Sequence, residues 1–272
     1  MASDGEPGAG RPVYFLVHVP KCAGTTVEAY VTRRFADAIL LPTRRRSPRR
    51  HFGPKYVLPE AIEFDRVEFV IGHNFTRALK HRFPGRPIRE AVLLRDPVGH
   101  MFSHYNSRLR RYRRHGWTRY DFADFYRGRV ANPISHFILN RYLEIPTARL
   151  AILSDARKFR LLEDLLAGFW HVGGHADVGH LIGKIAKAKG TPAGFETKNV
   201  GRAPDMDRDA FVARYEMRIR AEHALDQALF DRFCTGGRAD TTALRGGIAN
   251  LVRELKRPAL SARARLKRNH GI

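Results

Sequence analysis

Residues 13–28 read Val13-Tyr-Phe-Leu-Val-His-Val-Pro-Lys-Cys-Ala-Gly-Thr-Thr-Val-Glu28. The apolar run at 13–19 predicts a buried strand, and a helical pattern begins near Thr25. Backbone N–H groups at the start of a helix carry partial positive charge, and Lys21, Thr25 and Thr26 add side-chain donors. The segment therefore predicts a strand, a cradle for a phosphate-like anion and a helix start.

This cradle differs from the common nucleotide-binding loop. The pattern G-x-x-x-x-G-K-[ST] requires a glycine well before its lysine, whereas this chain has the apolar run 13–19 there. Lys21 thus precedes the turn instead of following it.

The length of the chain fits one large α/β domain or two small domains, and we favour one domain with a basic C-terminal tail. The chain has 272 residues, of which 43% are hydrophobic, and no apolar run approaches the roughly 18 to 20 residues that span a bilayer. The polar residues 1–10 lack the pattern of a secretory signal, so we expect a cytoplasmic protein. We expect a flexible N-terminus at 1–12, the α/β domain at 13–235 and a basic C-terminal extension at 236–272.

Two cysteines, Cys22 and Cys234, exclude a disulfide framework and a four-cysteine zinc site. Cys22 is either a reactive thiol activated by the helix start or a small residue that fits the turn, and we favour the second interpretation. His171, His175 and His180 are suitably spaced for a metal, but only Asp177 lies near them, so we expect none.

Basic residues exceed acidic ones, with 49 Lys and Arg against 27 Asp and Glu and a formal net charge of +22. They concentrate at 44–50, 108–114 and 256–267. This excess fits either an arginine-rich solvated surface or a surface for an acidic substrate or nucleic acid.

Periodicity predicts a parallel sheet flanked by helices, because strands and helices alternate. Ligands bind such sheets beyond the carboxyl ends of the strands, which is where Lys21, His73 and Arg95 fall. His18, inside the first strand, is expected to be a core or edge residue. Strands are predicted at 13–19, 67–71, 91–94 and 169–172; helices at 25–35, from Pro97 to the arginine cluster, at 120–143, 156–167, 176–188 and 207–233; and loops at 39–59 and 190–204.

A second anion site is predicted at Leu94-Arg-Asp-Pro-Val-Gly-His-Met-Phe-Ser-His-Tyr105. Arg95 leaves a strand end, and Ser103 lies two turns into the following helix. A guanidinium and a hydroxyl could thus hold one phosphate from two sides.

Together the two segments resemble the cofactor motifs of sulfotransferases that use 3′-phosphoadenosine 5′-phosphosulfate (PAPS). Pro20-Lys-Cys-Ala-Gly-Thr-Thr26 is similar to the 5′-phosphosulfate loop P-K-[ST]-[GA]-[GS]-[ST]-[ST]. Arg95-Asp-Pro-x-x-x-x-x-Ser103 is similar to the 3′-phosphate motif R-[DN]-P-x-x-R-x-x-S-x-Y. The closest branch is the glycan-type one, which includes heparan sulfate 2-O-sulfotransferases and bacterial relatives.

Three shorter segments resemble the same branch. Ile71-Gly-His73 matches its G-H motif, which implies that His73 is the catalytic base. Asn140-Arg-Tyr-Leu143 resembles its N-x-x-T-R-x-L segment, and Lys198-Asn-Val200 resembles a late loop that closes over the nucleotide.

The resemblance implies a P-loop-like sulfotransferase fold and in-line sulfuryl transfer, without a metal, to a hydroxyl of a neutral or acidic carbohydrate. Lys21 would stabilise the bridging oxygen of the leaving group, and His73 would accept the proton of the acceptor. The residues implied to bind the cofactor are Lys21, Cys22, Ala23, Gly24, Thr25, Thr26, Arg95, Ser103, Lys198 and Asn199.

Two positions depart from the family pattern. His100 stands where the family has an arginine, which would weaken a contact to the 3′-phosphate or make it pH dependent. Cys22 stands where Thr or Ser is common, which removes a hydroxyl donor.

Two other functions remain open. A kinase could use the same cradle, but the chain has no Walker lysine pattern, and Asp96 is only a single potential magnesium ligand. A nucleic-acid-binding protein would use the basic clusters, but no zinc-finger or RNP-type motif accompanies them.

Overall fold

A five-stranded, all-parallel sheet lies at the centre of the protein. The computed structural model describes residues 10–44, 56–59, 61–115, 121–127, 129–195 and 206–235. The sheet has the strand order β2-β5-β1-β6-β7, while β3 and β4 form a separate antiparallel pair. The strands are β1 (Val13–Val17), β2 (Ile39–Leu40), β3 (Thr43–Arg44), β4 (Tyr56–Val57), β5 (Phe69–Gly72), β6 (Ile88–Leu94) and β7 (His171–Gly174). This confirms the expected parallel sheet flanked by helices.

Helices cover the sheet. No helix within the described residues is both long and apolar enough to cross a bilayer. The α-helices are α1 (Gly24–Arg34), α2 (Pro97–Arg114), α3 (Phe122–Arg127), α4 (Pro133–Phe137), α5 (Thr147–Ile152), α6 (Asp155–Ala167), α7 (Val178–Lys189), α8 (Arg208–Glu222) and α9 (Ala224–Phe230). Short 3-10 helices lie at Ala36–Ala38, Arg77–Arg82 and His175–Asp177, and π-helical turns at Ile138–Tyr142 and Asp231–Thr235.

Strand β1 is buried along its whole length, because both faces of the sheet are covered. Tyr14 stacks on Phe69 at a ring-centroid distance of 5.1 Å and meets the edge of Trp170 at 5.4 Å. Phe15 points to the opposite face, where its ring lies 5.6 Å from that of Phe75. Because β1 pairs in parallel with both β5 and β6, the carboxyl ends of these three strands lie at one edge of the sheet.

A second apolar cluster holds α2 against α3 and α8. Because α2 is anchored along its length, its opposite face forms a fixed wall beside the carboxyl edge of the sheet. The buried members are Val98, Met101, Tyr105, Leu109, Phe122, Phe125, Tyr126, Phe211 and Ile219.

The prediction that 39–59 is only a loop was wrong in part. Ile39 and Leu40 form the edge strand β2, where they pair with Phe69 and Val70 of β5. A strand of two residues is too short to show an alternating pattern, so its pairing with β5 could not be read from local sequence. The arginines at 45–50 lie outside the described residues.

The single helix predicted at 207–233 is interrupted at His223. The Nδ1 atom of His223 accepts a hydrogen bond of 2.8 Å from the backbone N–H of Asn132, and the carboxylate of Asp226 accepts from the N–H groups of Ile134 and Ser135 at 3.0 and 2.8 Å. These bonds satisfy the N-terminus of α4. The helix predicted at 120–143 is therefore also divided, into α3, α4 and a π-helical turn, because tertiary partners replace continuous helical bonds.

We predict that Gly24→Ala destabilises the protein by about 3 kcal/mol. A Cβ atom at position 24 would lie 1.9 Å from Cδ2 of His18, so the His18 ring would have to move. Gly183→Ala is the matched control, since a Cβ there meets no heavy atom within 4 Å and helix α7 should gain about 0.5 to 1 kcal/mol. Urea unfolding measures both changes, and equal stability of the two variants would contradict the prediction.

Candidate active site

A cleft of about 1080 Å³ opens at the carboxyl edge of the sheet. It is bounded by the turn after β1, the ends of β5 and β6, one face of α2 and the start of α8. Eight of the predicted site residues line it together: Lys21, Ala23, Gly24, Thr25, Thr26, His73, Arg95 and Ser103. The two predicted anion sites and the predicted base therefore share one cavity.

The turn between β1 and α1 has an unusual backbone. Lys21 and Ala23 adopt left-handed φ values of 68° and 63° although neither is glycine, which costs on the order of 1 kcal/mol each. Two donors from the β6–α2 segment hold the turn: Arg95 Nη1 donates to the carbonyl of Lys21 at 3.2 Å, and His100 Nε2 donates to that of Pro20 at 3.0 Å.

The first turn of α1 is suited to an anion. Ala23 occupies the N-cap without a capping side chain, and the first turn contains no acidic residue. The Thr25 side chain is exposed to the cleft while Thr26 is buried. The N–H groups that start the helix thus lack a side-chain acceptor.

Cys22 is the one member of the loop whose side chain turns away from the cleft. It is 1% exposed, and its Sγ lies 3.7 Å from the carbonyl oxygen of Pro20. Burial raises the pKa of the thiol well above its usual range. Cys22 is therefore a small residue packed under the turn, and the alternative of an activated thiol does not agree with this environment.

Arg95 and Ser103 lie on the wall formed by β6 and α2. The N-terminus of α2 is capped by Asp96, whose Oδ1 accepts a hydrogen bond of 2.7 Å from the N–H of Gly99. The buried Nε of Arg95 has no hydrogen-bond partner within the described part of the chain. Arg95 thus retains an unused donor beside the cleft.

His100 does not line the cleft. Its ring is 3% exposed beneath the turn, and burial lowers its pKa to about 4. The ring is neutral at pH 7, and its Nε2 hydrogen is used on Pro20. The structure therefore assigns His100 a support function for the turn in place of the predicted contact to a phosphate.

His73 follows β5 and is exposed to the cleft. Its Nδ1 hydrogen is donated to the backbone carbonyl of His18, so the neutral ring carries its acceptor lone pair on Nε2. Partial burial, followed by the nearby His18, lowers the pKa of His73. This neutral imidazole has the properties of a general base.

Several cleft residues were not predicted. Asn106 is 3% exposed, and neither polar atom of its carboxamide has a hydrogen-bond partner among the described residues.

The arginines of α2 affect the predicted residue Lys21. Burial lowers the pKa of Lys21, and Arg110, Arg95 and Arg111 lower it further. Positions 103, 107, 110 and 114 share one face of α2. This helical spacing was a sequence signal that this face lines the cleft. No local sequence pattern indicates that Arg208 and Phe195 line the cleft.

The cleft wall is basic. The described residues that line it include no aspartate or glutamate. Nor do the described parts of the chain contain a group of three His, Cys, Asp or Glu residues suited to a metal ion.

The remaining predicted positions are not among the described residues that line the cleft. Lys198 and Asn199 are outside the described residues. Asn140 is buried, and its Nδ2 donates to the carbonyl of Ile145 at 2.8 Å, which is a structural contact.

Comparisons with known proteins leave the family open. No protein-family model matches the chain, and no curated protein matches its sequence. A functional interpretation therefore depends on the residues and geometry of the cleft.

We predict that His100 makes folding stability pH dependent. The folded pKa of about 4 lies below the value near 6.5 in an unfolded chain, so only the unfolded chain binds a proton between these values. The contribution of neutral His100 to the free energy of unfolding is complete above pH 6.5. It falls by about 3 kcal/mol as the pH drops to 4. Urea unfolding of the wild type and His100→Gln at pH 7 and pH 4 tests this, and a pH-independent difference between them would contradict it.

Proposed function

We propose that this protein is a sulfotransferase with a P-loop-like sulfotransferase fold, which moves a sulfuryl group from PAPS to a hydroxyl of a carbohydrate. One observation carries the proposal: a single cleft contains the Lys21 turn, the Arg95 and Ser103 pair and the imidazole of His73. These are two anion-binding groups and a base within one cavity.

The two anion-binding groups suit a donor with two anionic ends. Lys21 and the uncapped start of α1 would hold the 5′-phosphosulfate, with Thr25 as an additional donor. Arg95, with its unused Nε, and Ser103 would hold the 3′-phosphate. The donor set consists of cations, hydroxyls and backbone N–H groups, which is the chemistry that sulfate and phosphate oxygens require.

Bound PAPS supplies the sulfuryl group, which passes in line to the acceptor oxygen as the bridging S–O bond breaks. Lys21 stabilises the negative charge that develops on the bridging oxygen of the departing bisphosphate. The turn keeps Lys21 in place without substrate, because Arg95 and His100 hold its backbone. Positioning and charge stabilisation are the main contributions of the protein, as in phosphoryl transfer.

His73 accepts the proton of the acceptor hydroxyl at Nε2. The hydrogen bond from Nδ1 to His18 keeps the other nitrogen available as an acceptor, and the lowered pKa keeps the ring neutral near pH 7. The acceptor thus loses its O–H bond as the new O–S bond forms.

The basic face of α2 favours one class of acceptor. Arg110, Arg111 and Arg114 line the same cleft as the donor site. They favour an acceptor that carries negative charge, such as an acidic glycan.

The alternative functions have weaker support. Magnesium-dependent phosphoryl transfer uses carboxylate ligands, whereas Asp96 caps α2 and the described lining is free of acidic side chains. Nucleic-acid binding is supported by net charge alone.

We predict that 3′,5′-bisphosphoadenosine raises the melting temperature by about 5 to 10 °C at 100 times its dissociation constant. Lys21→Ala and Arg95→Ala should lose most of this shift because each removes a contact to one anionic end. Differential scanning fluorimetry measures it. Arg66→Ala is the control, since Arg66 is 69% exposed and pairs with Glu63 away from the cleft.

The same assay separates the alternatives. ATP with magnesium and a mixed oligonucleotide are tested in parallel. Stabilisation by either one without a response to the bisphosphate would overturn the sulfotransferase proposal.

We predict that His73→Ala binds the bisphosphate as tightly as the wild type but transfers sulfate about 10²- to 10⁴-fold more slowly. The imidazole touches the acceptor proton and not the donor phosphates. Transfer is measured with radiolabelled PAPS and a panel of neutral and uronic-acid oligosaccharides. Transfer by the variant at the wild-type rate would show that His73 is not the base.

A further inference from the structure

His18 contacts His73 at the cleft, and Glu28 in turn contacts His18. The His18 ring is 6% exposed, and its centroid is 3.9 Å from that of His73, with the two planes tilted by 41°. The carbonyl of the same His18 accepts the Nδ1 hydrogen of His73. One residue thus contacts the His73 ring through both its backbone and its side chain.

Glu28 fixes the His18 ring from α1. The Nδ1 of His18 lies 3.2 Å from Oε2 of Glu28. An ionised carboxylate only accepts hydrogen bonds, so the His18 hydrogen is on Nδ1. The hydrogen bond to His18 lowers the pKa of Glu28 and keeps its carboxylate charged.

Gly24 is the third part of this arrangement. A Cβ at position 24 would overlap the His18 ring, with 1.9 Å to Cδ2 and 2.4 Å to Cγ. The absence of a side chain at Gly24 therefore lets His18 lie against both the start of α1 and His73. Gly24, the first residue of α1, therefore also leaves room for the His18 ring that contacts His73.

We propose that Glu28 and His18 are positioning residues for His73: His18 fixes the orientation of the His73 ring, and the carboxylate of Glu28 favours the positive charge that this ring acquires when it accepts the acceptor proton. This inference rests on the proposed function. The proton taken from the acceptor stays on Nε2 of His73, and none moves to Glu28. The carboxylate acts through its field and through the His18 ring that it orients.

The charged and titratable neighbours of His73 act in opposite directions. Glu28 of α1 raises the pKa of His73, whereas His18, when protonated, lowers it. From α4 the neighbour is the uncharged ring of Phe137, whose centroid is 6.4 Å away. The carboxylate of Glu28 thus opposes the lowering of the His73 pKa that burial and His18 cause.

An alternative explanation is that Glu28 only anchors α1 to the end of β1. The two explanations differ for Glu28→Gln, which keeps a hydrogen-bond acceptor for His18 but removes the charge. A purely structural Glu28 would leave the titration of His73 unchanged.

The test is an NMR titration of the full chain labelled with ¹⁵N-histidine. The His73 resonances are assigned by their absence in His73→Ala. Glu28→Gln should lower the pKa of His73 by about 0.3 to 1 unit, since a nearby carboxylate no longer favours the charged ring. Glu63→Gln removes an exposed carboxylate that pairs with Arg66 and should leave the pKa unchanged.

Transfer assays provide the second readout. The acid limb of the pH profile of kcat/KM should move to lower pH in Glu28→Gln by the same amount, while bisphosphate binding is retained. An unchanged His73 pKa in Glu28→Gln would overturn the inference. A shifted pKa in a protein that neither binds the bisphosphate nor transfers sulfate would support the Glu28 and His73 coupling and overturn only the proposed function.

Discussion

The candidate site depends on how the backbone turn after β1 is held. Lys21 and Ala23 both adopt left-handed conformations that non-glycine residues rarely take, so other contacts must compensate for their cost. Arg95 and His100 supply them by donating to the carbonyls of Lys21 and Pro20. Because these donors come from the neighbouring β6–α2 segment, the turn is formed only when β1 and β6 are paired.

His73, the proposed base, is supported by the same part of the fold. The ring of His18 lies between the start of α1 and His73, and Gly24 leaves the space that it occupies. The residue after β1, His18, thus orients His73 through its carbonyl and its imidazole. The turn that follows carries Lys21. His73 and the turn that carries Lys21 therefore share the end of β1 as a common support.

Much of this site could be predicted from local patterns. Strand and helix alternation indicated a parallel sheet, and the carboxyl ends of parallel strands meet at one edge. This is why Lys21, His73 and Arg95 converge although they are far apart in the chain. Local sequence does not give the direction of a side chain. Cys22 was expected to bind the cofactor and His100 to weaken a phosphate contact or make it pH dependent, yet both side chains are buried beneath the turn.

The amino-acid order alone therefore determined the strand-turn-helix unit, the two anion-binding segments and the edge of the sheet to which they belong, because period and residue type are local properties. Only the tertiary structure decided which side of each element faces the cleft. It also decided the break at His223 and the joining of β2 to the sheet, because both depend on hydrogen-bond partners from distant segments. The contact of Glu28 with His18 and the unpaired amide of Asn106 arise in the same way, from packing that local sequence does not record.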